Sequence, residues 1–180
     1  MQTKITNFFL PKSTHNNIIP SLSIPSKPTT KSIFIYTDGA CSNNGKKNAS
    51  AGIGVYIENM YSISEKIIGK QTNQRAELYA ILKALNIINI KDYNRIIIYT
   101  DSLYSINCIT KWVNGWIKNG WLDKKKYPIK NKDIIESIYN IYIKHSTIEF
   151  NHVIAHTNNN DIHSIGNAKA DELARLSLLK

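Results

Sequence analysis

Apolar, β-branched runs alternate with stretches of helical periodicity along this chain from residue 32 onward. The runs predict five strands, at about 32–37, 51–58, 62–69, 95–100 and 147–155. Apolar residues at helical spacing predict helices at about 74–89, from Ser102, at 132–144 and at 167–178. Strands that alternate with helices favour the α/β class, with a central five-stranded mixed sheet flanked by helices.

The first 31 residues differ in composition from the rest. They contain four of the five prolines, many Ser, Thr and Asn residues, and no acidic residue. Such a composition is typical of a disordered tail. We therefore predict two parts, a tail at residues 1–31 and one domain at residues 32–180.

The net charge and the cysteine content indicate what kind of partner the protein binds and in which cellular compartment it is found. A formal net charge of +10 favours a polyanionic partner such as nucleic acid, although an AT-rich coding sequence would also enrich Lys, Asn and Ile. Only two cysteines are present, and the sequence has neither a long apolar span nor a signal-peptide pattern. We expect a soluble intracellular protein, in the cytoplasm or nucleus, that is neither secreted nor membrane-bound.

Four acidic residues, each in a distinctive local sequence, are candidates for one site: Asp38, Glu77, Asp101 and Asp171. Asp38 and Asp101 directly follow the first and fourth predicted strands. A single Asp at such a place often only caps a helix, but several acids at strand ends can line a cleft. Gathered carboxylates repel one another unless cations lie between them, and hard oxygen ligands suit Mg²⁺ or Mn²⁺. The pattern indicates a two-metal phosphodiester site.

At these residues the chain resembles the ribonuclease H family, type 1. The matching stretches are Tyr-Thr-Asp-Gly-Ala (36–40), Thr-Asn-Gln-Arg-Ala-Glu-Leu (72–78), Tyr-Thr-Asp-Ser (99–102) and Gly-Asn-x-x-Ala-Asp-x-Leu-Ala (166–174). The resemblance covers roughly residues 32 to 180 and implies the ribonuclease H-like fold. It also implies an Mg²⁺-dependent endonuclease, with two ions per site, that cuts the RNA strand of RNA–DNA hybrids and leaves 5′-phosphate and 3′-hydroxyl ends.

The resemblance further implies a role for each acid and for one histidine. Asp38 would bridge the metals and Asp101 would complete one side, with Glu77 near the leaving group and Asp171 near the attacking water. The family places a histidine after the last strand, where it helps protons move during product release. His156 fits that position.

A departure from the family pattern leaves a second candidate for the histidine. The usual short glycine-bearing loop is replaced here by residues 157–165, and His163 in that longer segment is the alternative to His156. We expect His152, on the last strand, to be a structural residue.

Contacts to a hybrid are implied on both strands. Amides that match family positions for reading 2′-hydroxyls are Asn44, Asn73 and Gln74. A pocket for a phosphate of the DNA strand is implied at Lys70, Thr72 and Asn131. Asn44 would serve equally well as a turn residue between the first two strands, and Arg75 is expected to support structure.

Residues 111–130 form an insert in which lysines alternate with tryptophans; seven lysines and one acid lie between residues 111 and 132. The insert resembles the basic protrusion of many cellular members of the family. It implies phosphate contacts from Lys118, Lys124, Lys125 and Lys126. Trp116 would pack on a deoxyribose, whereas Trp112 and Trp121 are expected to be hydrophobic anchors.

The tail carries one further motif. Gln2-x-x-Ile5-x-x-Phe8-Phe9 matches the peptide that binds the sliding clamp PCNA, in which one helical turn presents Ile and two aromatics to a pocket. A targeting peptide and a tail without a role are the alternatives.

Two rival functions remain open for the domain. One is a hybrid-binding module without catalysis, which the four intact acids disfavour. The other is a junction resolvase or integrase-like nuclease on the same fold, which the Asn-Gln set and the basic insert disfavour. We expect a monomer.

Overall fold

The computed structural model describes residues 31–154 and 160–180. Five strands form one sheet in the order β3-β2-β1-β4-β5. Their bounds are Ser32–Ser42 (β1), Ser50–Ile57 (β2), Tyr61–Lys66 (β3), Arg95–Thr100 (β4) and Ile148–His152 (β5). β2 is antiparallel to β1 and β3, whereas β4 is parallel to β1 and β5. The predicted α/β fold with a five-stranded mixed sheet is confirmed.

Five α-helices flank the sheet within the described ranges. They are α1 (Asn73–Ile87), α2 (Leu103–Asn107), α3 (Val113–Lys118), α4 (Lys132–Tyr142) and α5 (Ile162–Ser177). A π-helical turn joins α2 to α3, so part of the predicted insert is helical. The Ser102 hydroxyl accepts a hydrogen bond from the Ser105 amide and caps α2 as predicted. None of the helices in this part of the chain is long and apolar enough to cross a bilayer.

β1 is longer than predicted, and this changes where Asp38 lies. The strand continues to Ser42 because β2 stays paired with it, with Asp38 opposite Gly54. The parallel pairing with β4 stops at Tyr36 and Tyr99. The expectation that Asp38 ends its strand is therefore wrong. It lies inside β1, just beyond the last residues paired with β4, where that edge of the strand is open.

The main core lies on one face of the sheet, where α1 packs on β1 and β2 and α4 packs on α1. Its members are almost all aliphatic. Along each strand they occupy alternate positions, because successive side chains point to opposite faces of the sheet. Fully buried members from five elements include Ile35, Ile53, Leu78, Ile98 and Ile135. Burying one such side chain contributes about 1.5–3 kcal/mol, so this face supplies a rigid base for the strand ends.

The opposite face carries aromatic rings beneath α5. The His163 ring stacks on Tyr99 with centroids 4.0 Å apart. Its Nδ1 lies 3.1 Å from the Tyr36 hydroxyl and its Nε2 lies 3.1 Å from the Tyr99 hydroxyl. Burial raises the pKa of Tyr36 to about 12, so this hydroxyl keeps its proton. These contacts fasten the first turn of α5 to β1 and β4.

Among the predicted boundaries that differ from the structure, two have a clear local reason. α5 begins at Ile162, five residues before its predicted start at 167, because the Asp161 carboxylate accepts hydrogen bonds from the amides of His163 and Ser164. β3 ends at Lys66 rather than at 69, and the chain turns there through Gly69, whose φ is +88°.

Candidate active site

Three carboxyl groups meet beside the open edge of β1. Asp38 on β1, Glu77 on α1 and Asp101 after β4 each offer an oxygen, and these oxygens lie within 4.8 Å of one another. Asp38 and Glu77 are only 7% exposed. The sequence predicted all three for one site, and the fold brings them together.

The close approach of β1 and α1 depends on Gly39. A Cβ at residue 39 would overlap the backbone of Ala76 and the amide nitrogen of Glu77. The Gly39 amide in turn donates to Asp38 Oδ1 at 2.8 Å. Glycine at this position therefore lets the helix bring Glu77 against Asp38.

Burial and repulsion between neighbouring carboxylates dominate the electrostatics of the cluster. Burial and the nearby Asp101 carboxylate raise the pKa of Asp38 from 3.8 to about 7. Burial and the Asp38 charge raise the pKa of Glu77 well above its ordinary value. Glu77 Oε2 is buried and has no hydrogen-bond partner among the described residues. An oxygen donor set with these properties fits a divalent cation.

Asp171 lies on α5, next to Asp38 but outside the three-oxygen group. Its charge and a hydrogen bond to it both contribute to the raised pKa of Asp38. Its Oδ2 forms an ion pair with Arg175 Nη2 at 3.0 Å, one helical turn further on. α5 can come this near to the sheet because Gly54, which pairs with Asp38, has no side chain. A Cβ at residue 54 would overlap the Ala170 carbonyl oxygen.

The predictions for the three histidines, His152, His156 and His163, compare differently with the structure. His156 lies outside the described residues, so its role stays a prediction. His163 lies on α5 rather than in a loop, and both of its ring nitrogens face tyrosine hydroxyls. The expectation that it sits in the longer loop is therefore wrong.

His152 contacts the site in a way that sequence reasoning missed. Its Nε2 donates to the Asp101 carbonyl oxygen at 3.1 Å. The parallel register of β4 and β5, which pairs Thr100 with His152, puts the ring there. Recognising this contact from sequence would have required that register.

The residues implied to read a hybrid gather next to the acids. The Asn44 side-chain oxygen accepts from the Asn73 amide at 3.3 Å, and Asn73 Nδ2 donates to Glu77 Oε1 at 3.5 Å. Asn44 also lies in the turn between β1 and β2, which confirms its predicted place as a turn residue, while its role in reading 2′-hydroxyls stays a prediction. An open groove of about 430 Å³ is lined by Asn44, Lys70, Thr72, Asn73, Gln74, Lys130 and Asn131.

The insert forms a second, adjoining groove. Its volume is about 490 Å³, and its lining includes Gln74, Tyr104, Trp116, Lys125, Tyr127 and Lys130. Asp123 Oδ1 accepts from the amides of Lys125 and Tyr127 and so holds the lysine-rich turn. The four implied phosphate contacts, Lys118, Lys124, Lys125 and Lys126, are all exposed.

The tryptophans of the insert do not divide as expected. Trp116 and Trp121 are partly buried against the core, and Trp121 lies under the Lys132 ammonium at 5.3 Å. Trp112, expected to be a hydrophobic anchor, is 41% exposed, and its ring contacts those of Tyr104 and Trp116.

The carboxylate cluster lies beside the parallel β1–β4 pair of the sheet, next to a basic groove lined by amide side chains. These features define a class of α/β proteins with a metal centre suited to phosphodiester chemistry. Residues 30–178 match the family model described as RNase H. The chain belongs to the ribonuclease H family.

Relatives in sequence and structure agree with this assignment. The chain is 37% identical over 171 residues to mouse ribonuclease H1, an alignment that covers 92% of this chain and 58% of the mouse protein. The solution structure of the prototype foamy virus RNase H domain superposes with a TM-score of 0.67 at 29% identity, covering 83% of this chain and 96% of that one. LC11-RNase H1, solved in complex with an RNA/DNA hybrid, superposes with a TM-score of 0.56 at 26% identity, covering 81% and 96%.

Proposed function

We propose that the chain is an endonuclease that hydrolyses the RNA strand of RNA–DNA hybrids and leaves 5′-phosphate and 3′-hydroxyl ends. The observation that carries the proposal is the buried group of Asp38, Glu77 and Asp101 next to the amide-lined groove. Membership of the ribonuclease H family and the likeness to LC11-RNase H1, which was solved with a hybrid, support it.

The acids would hold two Mg²⁺ ions, with Mn²⁺ as an alternative. Asp38, Glu77 and Asp101 offer the converging oxygens, and Asp171, whose charge acts on Asp38, would be the fourth ligand. Bound divalent ions supply Lewis acidity at the scissile phosphate and lower the pKa of a water that can attack it. The Gly39 amide keeps Asp38 Oδ1 oriented, and His152 steadies the backbone of Asp101.

Selectivity for a hybrid would come from the groove residues on either side of the acids. Asn44, Asn73 and Gln74 donate to and accept from the 2′-hydroxyls of the RNA strand, which DNA lacks. Lys70, Thr72 and Asn131 bind a phosphate of the DNA strand in the same groove. Because Asn73 also contacts Glu77, reading the RNA strand and holding the acid are physically linked.

The insert would extend this contact along the DNA strand. Lys118, Lys124, Lys125 and Lys126 neutralise phosphates, and Trp116 offers an apolar wall for a deoxyribose in the adjoining groove. His156 accepts and releases a proton as the product leaves.

The tail at residues 1–31 would act separately from the domain at residues 32–180. Gln2, Ile5, Phe8 and Phe9 bind a sliding clamp, PCNA, which brings the enzyme to replicating DNA. The chain works as an intracellular monomer in this proposal, in the cytoplasm or nucleus, where hybrids arise.

A cleavage assay tests the proposal. A hybrid labelled on its RNA strand is incubated with the protein, with and without Mg²⁺, beside duplex DNA and duplex RNA of the same sequence. Internal cuts in RNA of the hybrid alone, only with metal, are expected. Hybrid binding without cleavage in Mg²⁺ or Mn²⁺ would instead favour a binding module, and cleavage of branched DNA would favour a resolvase.

A further inference from the structure

A two-pronged ion pair joins α1 to α4 beside the phosphate groove. Arg75 Nη1 and Nη2 donate to the two carboxylate oxygens of Asp133 at 3.0 and 2.6 Å. The Arg75 side chain is 18% exposed and the Asp133 side chain 61%. Such fork-to-fork geometry fixes distance and angle together, which a single contact does not.

The pair lies next to the first residues of both helices. Thr72 caps α1 three residues before Arg75, and its hydroxyl accepts from the Arg75 amide at 3.4 Å. Asn131 precedes α4 two residues before Asp133, in a left-handed conformation with φ +59°. Thr72 and Asn131 both line the groove. The ion pair of Arg75 with Asp133 therefore ties together the two helix starts that carry these lining residues.

The pair also controls the charge beside the groove. Asp133 is an acid in the first turn of α4, close to Lys130 and Asn131 on the wall. Arg75 occupies both of its oxygens and lowers the pKa of Asp133. Without Arg75, an unpaired carboxylate would oppose a phosphate in the groove.

Arg75 itself depends on this partner. Its Nε is buried and has no hydrogen-bond partner among the described residues. The guanidinium is thus oriented by Asp133, and the positions of the two side chains are coupled.

We infer that Arg75 and Asp133 are positioning residues that set the width and charge of the groove for a phosphate of the DNA strand. The inference rests on the proposed function, since it assigns this ligand to the groove. It predicts an effect on affinity for the hybrid with little effect on the chemical step, because neither side chain belongs to the carboxylate cluster.

Two measurements on the full chain test the inference. Equilibrium binding of a fluorescent hybrid in EDTA gives Kd, and steady-state cleavage in Mg²⁺ gives KM and kcat. Arg75→Ala should raise Kd and KM about 5–10-fold and leave kcat within about twofold. Arg75→Lys keeps the charge but loses the two-pronged geometry, so its Kd and KM should lie between those of the parent and those of Arg75→Ala.

Charge reversal and a matched pair supply the controls. The swap Arg75→Asp with Asp133→Arg should bring Kd back to within about threefold of the parent, since it restores a pair across the same gap. Arg95 makes an equivalent two-pronged pair with Glu149, at 2.7 and 2.8 Å, at the far end of β4. Arg95→Ala should therefore leave Kd unchanged.

The outcomes separate the inference from the proposed function. If Arg75→Ala lowers Tm but leaves Kd and KM at parental values, the pair only stabilises the fold and the inference is overturned. The inference is also overturned if the double variant, Arg75→Asp with Asp133→Arg, binds hybrid as weakly as Arg75→Ala does. A parent chain that binds hybrid but never cleaves it contradicts the proposed function, while the Kd values still decide the inference.

Discussion

Asp38 on β1 and Glu77 on α1 lie together in the interior, on either side of the contact that Gly39 makes with the α1 backbone. Both carboxyl groups are buried, and burial raises the pKa of each; the Asp38 charge raises the pKa of Glu77 further. Two such groups are stable side by side as anions only when a cation offsets them. This relationship links the stability of the domain to pH and to metal.

The first prediction follows from the pKa of Asp38, which rises from 3.8 to about 7 on folding. The folded protein then holds a proton that the unfolded chain releases, so stability without metal falls as pH rises from about 4 to about 7. Asp38→Asn removes this penalty, and each pKa unit is worth about 1.4 kcal/mol. In EDTA at pH 8 the variant should therefore melt several degrees above the parent, with the difference shrinking towards pH 4.

Thermal melting with and without Mg²⁺ completes that test. Mg²⁺ should raise the Tm of the parent at pH 8 and have little effect on Asp38→Asn. Asp92→Asn, a change at an exposed acid, is the control and should behave like the parent. Equal melting of parent and Asp38→Asn across the pH range would contradict the electrostatic account of the cluster.

The second prediction separates chemistry from binding. Asp101→Asn keeps the side-chain shape but loses the negative charge that a divalent ion requires, so cleavage of hybrid should fall by at least about 100-fold. Kd for the hybrid in EDTA should stay within about threefold of the parent, because Asp101 does not line the phosphate groove. Appreciable cleavage by this variant at saturating Mg²⁺ would remove Asp101 from the site.

The acids could be predicted from sequence because their neighbours in the chain identify them. The contacts that hold them could not, because they depend on long-range register. The contact of His152 with Asp101 arises from the pairing of β5 with β4. The bond between Arg75 and Asp133 joins residues 58 positions apart. A single sequence does not contain this information.

Other differences trace to local features that simple periodicity ignores. β1 continues past Asp38 through a Gly-Ala-Cys-Ser stretch that lacks apolar alternation, because β2 supplies its hydrogen bonds. Trp112 lies at the end of a π-helical turn, Cys108–Trp112, a rare element that hydrophobic periodicity does not predict. The early start of α5 comes from one capping side chain, Asp161.

The third prediction concerns the lysine-rich turn of the insert. Changing Lys124, Lys125 and Lys126 to Ala should weaken hybrid binding and flatten the plot of log Kd against log salt by about one unit per lost phosphate contact. Lys91 and Lys144, which are exposed and lie outside the insert, give a control double change to Ala. The same slope in parent and triple variant would mean that these lysines only face solvent.

The fourth prediction assigns the histidines. His163→Ala removes a stacked ring and contacts to two tyrosine hydroxyls, so it should lower the free energy of unfolding by about 1–4 kcal/mol. Its kcat at a temperature well below Tm should change little. His156→Ala should instead lower kcat and leave Tm near the parental value. The reverse pattern would move the proton-transfer role to His163.

The last prediction tests the tail. A peptide of residues 1–12 should bind PCNA, and the double change of Phe8 and Phe9 to Ala should abolish binding, because buried aromatics carry most of the energy of so small an interface. A peptide with Thr3→Ala, a change outside the motif, is the matched control and should bind like the parent. A chain that starts at residue 31 should cleave free hybrids as fast as the full chain, since it keeps all four acids. Clamp binding that survives the loss of both phenylalanines would contradict the motif.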